Sequence, residues 1–390
     1  MNLRSTLAIV ITLVMTIGTA CTPQEPEPTT NNPSVDAGPD TSDGPDIPDD
    51  WIVLDDGPPF PVGCVDSAGG EATIEYEIHP STTSYMLVPF TSFPGTYDPR
   101  TITTPSGYVI DLHNENLFQL YGLEYPEIAW INPMVFPPAP NYDHQLEAGL
   151  HTLHVLTDDP RVCFYVIEDQ GPSNTLDLNF YFVGLDALDL NAATADTHPD
   201  FSAILTATAE IFAQAGITLG EVRFLNADPD VAAAYSNIRD YDDLYALIET
   251  SEYPGESLTE NLSLNVFLAE RFTDGSVGVA MGIPGVAAMH ESLVAGIGIT
   301  AEYIGVDADH NQFTANVLAH ELGHFLGLFH TTEIGGAEFD NLDDTPECTQ
   351  FNPHFNCPDA QNLMFPYADY DTTELTPDQA YVLQKNPLIR

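Results

Sequence analysis

The spacing of hydrophobic and polar positions divides this chain into two unlike parts. Between residues 64 and 168 the apolar and aromatic runs are short, and Pro, Gly, Asn and Asp separate them. Thr73–Ile78, Tyr85–Phe90, Tyr108–Leu112 and Val162–Ile167 read as strands, and their spacing predicts a small all-β sandwich. From residue 175 strand-like and helix-like stretches alternate. Leu176–Val183, Leu262–Leu268 and Ser292–Ile299 predict strands. Phe201–Ala215 predicts a helix whose apolar positions are Ile204, Leu205, Ala207, Ile211 and Phe212. Phe313, Val317, Leu318, Phe325 and Leu328 line one face of a longer helix, with Asp309 or Asn311 placed to cap its start. After His330 few periodic stretches remain before Thr376. The pattern predicts an α+β unit over 175–390 with a regular first part and an irregular second, preceded by a β-domain over 62–170.

The first 61 residues fit neither part. Arg4 followed by the apolar run Leu7–Ile17 reads as an export signal over 1–20, too short to span a bilayer. Ile17-Gly18-Thr19-Ala20-Cys21 is similar to a bacterial lipoprotein cleavage site, with Cys21 the lipidated residue of a mature chain anchored at the cell envelope or surface. Ordinary signal cleavage, which would leave a spare thiol in a secreted protein, is the competing reading. Residues 22–61 hold ten prolines and ten acidic side chains with no Lys or Arg, so residues 21–61 read as an extended tether. With 59 acidic and 8 basic residues the formal charge is −51, which argues against nucleic acid and against docking on anionic lipid, leaving a lipid anchor as the expected membrane contact.

Chemistry concentrates at His320-Glu321-Leu322-Gly323-His324-Phe325-Leu326-Gly327-Leu328-Phe329-His330. On a helix, His320 and His324 lie one turn apart and can reach one metal ion, while Glu321 can reach a water beside it without being a ligand. Gly327 can end the helix with a left-handed residue and turn the chain back, bringing His330 in as a third ligand. Three ligands leave one position open, as at catalytic zinc. His-Glu-x-x-His alone also occurs by chance in ordinary helices.

With the added glycine and third histidine, the segment resembles the metzincin zinc metalloproteases. Asn362-Leu363-Met364-Phe365-Pro366-Tyr367 resembles their methionine turn, with Met364 placed 34 residues after His330. Asp340-Asn341-Leu342-Asp343-Asp344-Thr345-Pro346-Glu347-Cys348 resembles a segment of pappalysin-like members, and Leu375-Thr376-Pro377-Asp378-Gln379 the start of their last helix. Val277-Gly278-Val279-Ala280-Met281 resembles their substrate-holding edge strand. The resemblance implies a metzincin-like α+β domain with a twisted sheet, a long metal-binding helix and an irregular lower part. It also implies a metalloendopeptidase: zinc on His320, His324 and His330, Glu321 as general base, Met364 packed under the metal, and a peptide or protein substrate. Pro366 stands where several members have a tyrosine, so a transition-state role would fall to Tyr367.

Four cysteines remain beside Cys21. Proximity favours Cys348–Cys357, which leaves Cys64–Cys163, although Cys64 or Cys163 could instead be a thiolate capping the metal. Asp340, Asp343 and Asp344 read either as calcium ligands or as a solvated acidic loop. Leu146–Val155 weakly resembles a strand pair from β-domains that accompany secreted peptidases. On such a strand His151 and His154 face opposite sides and cannot share a metal. His113 and His144 read as ordinary residues. The chain is expected to act as a monomer. Its rival readings are a surface-tethered binding or adhesion lipoprotein with a structural metal site, and a zinc hydrolase acting on something other than peptides.

Overall fold

The computed structural model describes residues 63–91, 97–112, 133–142, 144–169, 171, 174–250, 262–286, 295–334, 336, 338–349 and 357–390. The export signal, Cys21, the tether, His113 and the first three residues of the Ser292–Ile299 strand call lie outside them.

Among the described residues eight strands come first: β1 (Gly63–Asp66), β2 (Glu71–Ile78), β3 (Ser84–Phe90), β4 (Tyr97–Thr103), β5 (Val109–Asp111), β6 (Met134–Phe136), β7 (Gly149–Thr157) and β8 (Arg161–Asp169). They form two four-stranded antiparallel sheets, ordered β1-β8-β3-β6 and β2-β7-β4-β5. β2 alternates exposed and buried residues along its whole length, as a strand with one wet face must. β3 does not: all seven of its residues are buried. Tyr85 and Leu87 join a cluster with Ile74, Tyr97, Ile102 and Leu153 of the other sheet. Met86, Val88 and Phe90 point the opposite way, into a cluster with Leu176, Leu178 and Phe180 of the C-terminal part. β6 and β8 divide their side chains in the same manner, with Val135, Tyr165 and Ile167 in the second cluster. The first sheet is therefore covered on both faces, and the two parts expected as separate units share one core.

The C-terminal part carries β9 (Thr175–Val183), α1 (Pro199–Ala213), β10 (Thr218–Asn226), α2 (Pro229–Tyr235), β11 (Asn237–Ile238), α3 (Tyr241–Thr250), β12 (Leu264–Ala269), β13 (Arg271–Phe272), β14 (Gly278–Ala280), β15 (Ile297–Thr300), α4 (Ala308–Phe325) and α5 (Pro377–Lys385). Its five-stranded sheet runs β10-β9-β12-β15-β14, with the first four parallel and β14 antiparallel at one edge. Leu178, Phe180, Leu264 and Val266 face one side of this sheet, and Tyr181, Val183, Phe267 and Ala269 face the other. Strands covered on both faces read as continuous apolar runs, as these do. α4 packs against α1, β14 and β15.

The cap of α4 differs from expectation. Asp307 holds that place, accepting the His310 N–H at 2.9 Å. Asp309 lies in the first turn. Asn311 instead accepts the Gly305 N–H at 2.9 Å and donates to Asp200 at 2.8 Å, fastening α4 to α1. Cys64 and Cys163 face each other across β1 and β8 and form a disulfide, and Cys348 and Cys357 form a second. Neither Cys64 nor Cys163 is thus free to cap a metal. Among the described residues no helix is long and apolar enough to cross a membrane.

Candidate metal and catalytic site

α4 places His320 and His324 on one face near its C-terminal end, and both are buried. The helix stops at Leu326. Gly327 follows with φ 113°, a conformation that a Cβ would disfavour, and the Leu328 N–H closes back onto Gly323 O at 2.9 Å. This reversal carries His330 to the other two imidazoles. Nε2 of His330 lies 3.3 Å from Nε2 of His320 and 3.1 Å from Nε2 of His324.

The other ring nitrogens settle the protonation. His320 Nδ1 lies 2.6 Å from Leu363 O, and His324 Nδ1 lies 2.7 Å from Leu328 O. A carbonyl can only accept, so both Nδ1 atoms carry hydrogen. Burial and the neighbouring His330 push the His320 imidazole down to about 3, and burial with both neighbours holds His324 well below the usual histidine range. Both rings are therefore neutral and present Nε2 lone pairs to the point shared with His330. Lone pairs facing one another repel unless a cation lies between them. Ligands at about 2.0–2.1 Å from a tetrahedral zinc would stand about 3.3 Å apart, in accord with these separations. Among the described residues this is one of two groups close enough to hold a metal, and the other contains the disulfide-bonded Cys348 and Cys357.

Glu321 is buried beside the histidines, and its Oε1 has no hydrogen-bond partner among the described residues. Burial raises its carboxyl to about 8 against a smaller opposing effect of the Ala280 N–H. A buried carboxyl with one oxygen unpartnered is costly in a purely structural setting, and a nearby cation would offset the cost. Its space is provided by Gly278 in β14, where an added Cβ would fall 2.7 Å from both Cγ and Oε1 of Glu321. Main-chain bonds from Met281 N to Gly296 O (3.2 Å) and from Thr300 N to Val277 O (3.0 Å) prolong β14 at both ends. Val277–Met281 thus forms the sheet edge running past Glu321.

Met364 lies beneath the site, where a Cβ on Gly323 would stand 2.7 Å from its Sδ. Its loop is fixed by Asn362, which exchanges two side-chain hydrogen bonds with Gln379 of α5 at 2.8 and 2.9 Å and accepts the Met364 N–H at 2.8 Å. Gln379 also completes a capping box with Thr376 at the start of α5. Tyr367 packs with Phe365 and the Cys348–Cys357 disulfide.

The acidic loop divides. Asp340 is half-buried and accepts from Thr345 and Leu342, while its Oδ2 has no partner among the described residues. Asp343 and Asp344 are exposed, and Asp344 accepts the Asp378 N–H at 2.9 Å. No candidate metal group among the described residues includes these three, so calcium finds no support there. His151 is buried on β7 and His154 points outward, as opposite strand faces require. His144 stacks on Tyr108 at 4.2 Å. Sequence reasoning missed Glu333, whose oxygens lie 3.0 and 3.1 Å from His330 Nδ1. It also missed Asp359, which accepts from Thr331 and Thr332 at 2.7 and 2.8 Å and steadies the segment after His330. An acid three positions beyond the third histidine was the one available signal.

No curated protein matches the chain. Among solved structures, a carbohydrate esterase family 2 enzyme plus carbohydrate binding domain from Corynascus thermopiles (Myceliophthora fergusii) is 11% identical. The alignment covers 54% of this chain and 64% of that chain, and at a TM-score of 0.12 it informs neither fold nor function. Residues 257–381 match the model of peptidase family M43, described as pregnancy-associated plasma protein-A. This pappalysin-like family is of the metzincin type, and the matched span takes in β14, the three histidines, Glu321 and Met364. The match supports a zinc metallopeptidase, with zinc the expected metal of the three-histidine site.

Proposed function

We infer that this chain is a zinc-dependent endopeptidase acting on extended peptide or protein segments. The observation that carries the reading is the meeting of three imidazoles next to a buried Glu321 whose Oε1 is unpartnered, beside a sheet edge. His320, His324 and His330 would hold the metal, with Leu363 and Leu328 carbonyls keeping two of the rings in the ligating tautomer. Zinc bound there supplies Lewis acidity, bringing the pKa of water towards neutrality and polarising a carbonyl. Glu321 accepts the proton of the attacking water and delivers it to the leaving amine. A carboxyl whose burial disfavours its charge takes up a proton more readily than a solvated one, which suits the base half of this cycle. β14 pairs through its main chain with an extended substrate, which brings the scissile bond past Glu321. An adhesion protein with a structural metal would have no use for that carboxyl.

The test is incubation of the purified chain with a peptide library, with and without a chelator, and mass spectrometry of the products. Glu321→Gln should retain zinc and lose about 10²–10⁴ of the cleavage rate. Unchanged turnover in a zinc-loaded Glu321→Gln chain would remove Glu321 from the mechanism.

The same reading includes export and a lipid anchor at Cys21, supported by the Leu7–Ile17 run and the proline-rich acidic stretch after it. Residues 62–170 would act as an accessory β-domain for the catalytic 175–390. A mature N-terminus of any mass other than that of a lipidated Cys21 would end the anchoring part.

A further inference from the structure

The three imidazoles that meet at the site are all engaged through Nδ1, but by different kinds of acceptor. His320 and His324 meet main-chain carbonyls, which are neutral. His330 Nδ1 meets a carboxylate, with Glu333 Oε1 at 3.0 Å and Oε2 at 3.1 Å. The backbone of Glu333 is itself pinned in a short turn. Its N–H donates to Glu338 O at 2.8 Å, its carbonyl accepts the Gly336 N–H at 2.9 Å, and Thr332 bridges to Phe339. The turn aims the carboxylate at a ring whose side chain is only 2% exposed, while Glu333 itself is 34% exposed. His330 is also the one imidazole of the three that a loop, not α4, supplies. It therefore has most to gain from a fixed partner.

We propose that Glu333 is the positioning residue of the metal centre: it orients His330, fixes its Nδ1–H tautomer and strengthens Nε2 as a donor to zinc. The proposal rests on reading the three histidines as a zinc site. A carboxylate accepting from the far nitrogen of a ligating imidazole raises the basicity of the ligating one, and loss of such a partner typically costs about 10–100-fold in metal affinity. A carbonyl acceptor fixes the ring but adds no charge, so Glu333 should matter more than either carbonyl. Because Glu333 is partly exposed, changing it leaves no core cavity that would confound the result.

The full chain is titrated with zinc against a competing chelator, and its cobalt(II) form is examined by visible absorption. Glu333→Ala should bind zinc about 10–100-fold more weakly than the unaltered chain and shift the cobalt bands. Glu333→Gln, nearly isosteric and able to accept through its amide oxygen, should fall between the two; it carries the test if the alanine variant does not fold. Glu338→Gln removes an acid from the same turn without touching His330 and should stay within about twofold. Zinc affinity and cobalt bands unchanged in both Glu333 variants would overturn the proposal and leave the zinc reading intact. An equal loss in Glu338→Gln would also overturn it, because general charge would then explain the effect. Failure of the unaltered chain to take up zinc would instead sink the functional reading, and this proposal with it.

Discussion

His320 Nδ1 lies 2.6 Å from the carbonyl oxygen of Leu363, so the residue before Met364 orients the first imidazole of α4. The next carbonyl, that of Met364, accepts the Thr331 N–H at 3.1 Å, directly after His330. One short segment thus holds imidazoles supplied from two directions. That segment is in turn locked by the amide pair of Asn362 and Gln379, both buried. The Asn362–Met364 segment is a strut between α5 and the three imidazoles, and the Met364 thioether is only the part that packs.

Gln379→Ala should show this. It leaves the buried Asn362 Nδ2 donor unpaired, at about 1–3 kcal/mol for such a group, while Oδ1 keeps the Met364 N–H. The melting temperature should fall by several degrees, and zinc should bind more weakly although no ligand is altered. Equal zinc affinity in the variant would mean that the turn does not transmit to His320.

Gly278→Ala tests the closeness of β14 to Glu321. The added methyl would meet Glu321 Cγ and Oε1 at 2.7 Å and Val317 Cγ1 at 2.9 Å, so either the carboxyl or the strand must move. Overpacking of this kind costs about 1–3 kcal/mol in stability. Peptide cleavage should drop by at least about tenfold, since a small misplacement of a catalytic group is expensive. Zinc content should be unchanged. Full activity in Gly278→Ala would show that Glu321 has freedom the packing does not suggest.

Much of the site was legible because its spacing is local. His320 and His324 share a face through helical periodicity, and Gly327 announces the turn that returns His330. The start of α5 was legible through the resemblance of Leu375–Gln379 to the last helix of pappalysin-like members. What stayed hidden depends on groups without a side-chain signature or on distant partners. The carbonyls of Leu363 and Leu328 set ring orientation, and any residue has a carbonyl. The α4 cap is not legible locally, because Asn311 is engaged by Gly305 and Asp200, the second of which lies 111 positions away. β3 reads as a strand in either case, but its unbroken run of buried residues was the sign that both faces are covered.

Asp340 should make stability depend on pH. Burial raises its carboxyl to about 7, with Thr345 and Leu342 opposing and Asp344 and Asp359 adding to the rise. A folded-state value above the unfolded one of 3.8 means that the folded chain holds the proton more tightly. This contribution to stability is complete below about pH 4 and is lost as pH climbs through about 7, on the order of 2–4 kcal/mol. Asp340→Asn keeps an acceptor for Thr345 and carries no charge. It should melt near the unaltered chain at pH 4 and well above it at pH 8. Parallel melting curves for the two across that range would show that Asp340 is ionised at little cost.

Charge sets the last expectation. With 59 acidic and 8 basic residues, most surface carboxylates have no cation to face, and their mutual repulsion opposes the compact state. Three arginines serve near neighbours in sequence, Arg239 with Asp243, Arg223 with Glu221 and Arg100 with Asp98, while Arg161 reaches Asp66 on the adjacent strand. They relieve single sites and leave the overall field unbalanced. The screening length falls from about 10 Å at 0.1 M salt to about 3 Å at 1 M, a range over which repulsion between exposed carboxylates fades. The melting temperature should therefore rise between those concentrations of sodium chloride. Asp340→Asn should leave that rise nearly intact, because the cost at Asp340 comes from burial more than from distant charge. The three imidazoles are buried and held by hydrogen bonds, so zinc affinity should change less with salt than stability does. A melting temperature flat from 0.1 to 1 M would mean that the acidic surface is neutralised in another way, by bound cations or by protonation, and calorimetry across pH would then separate those two.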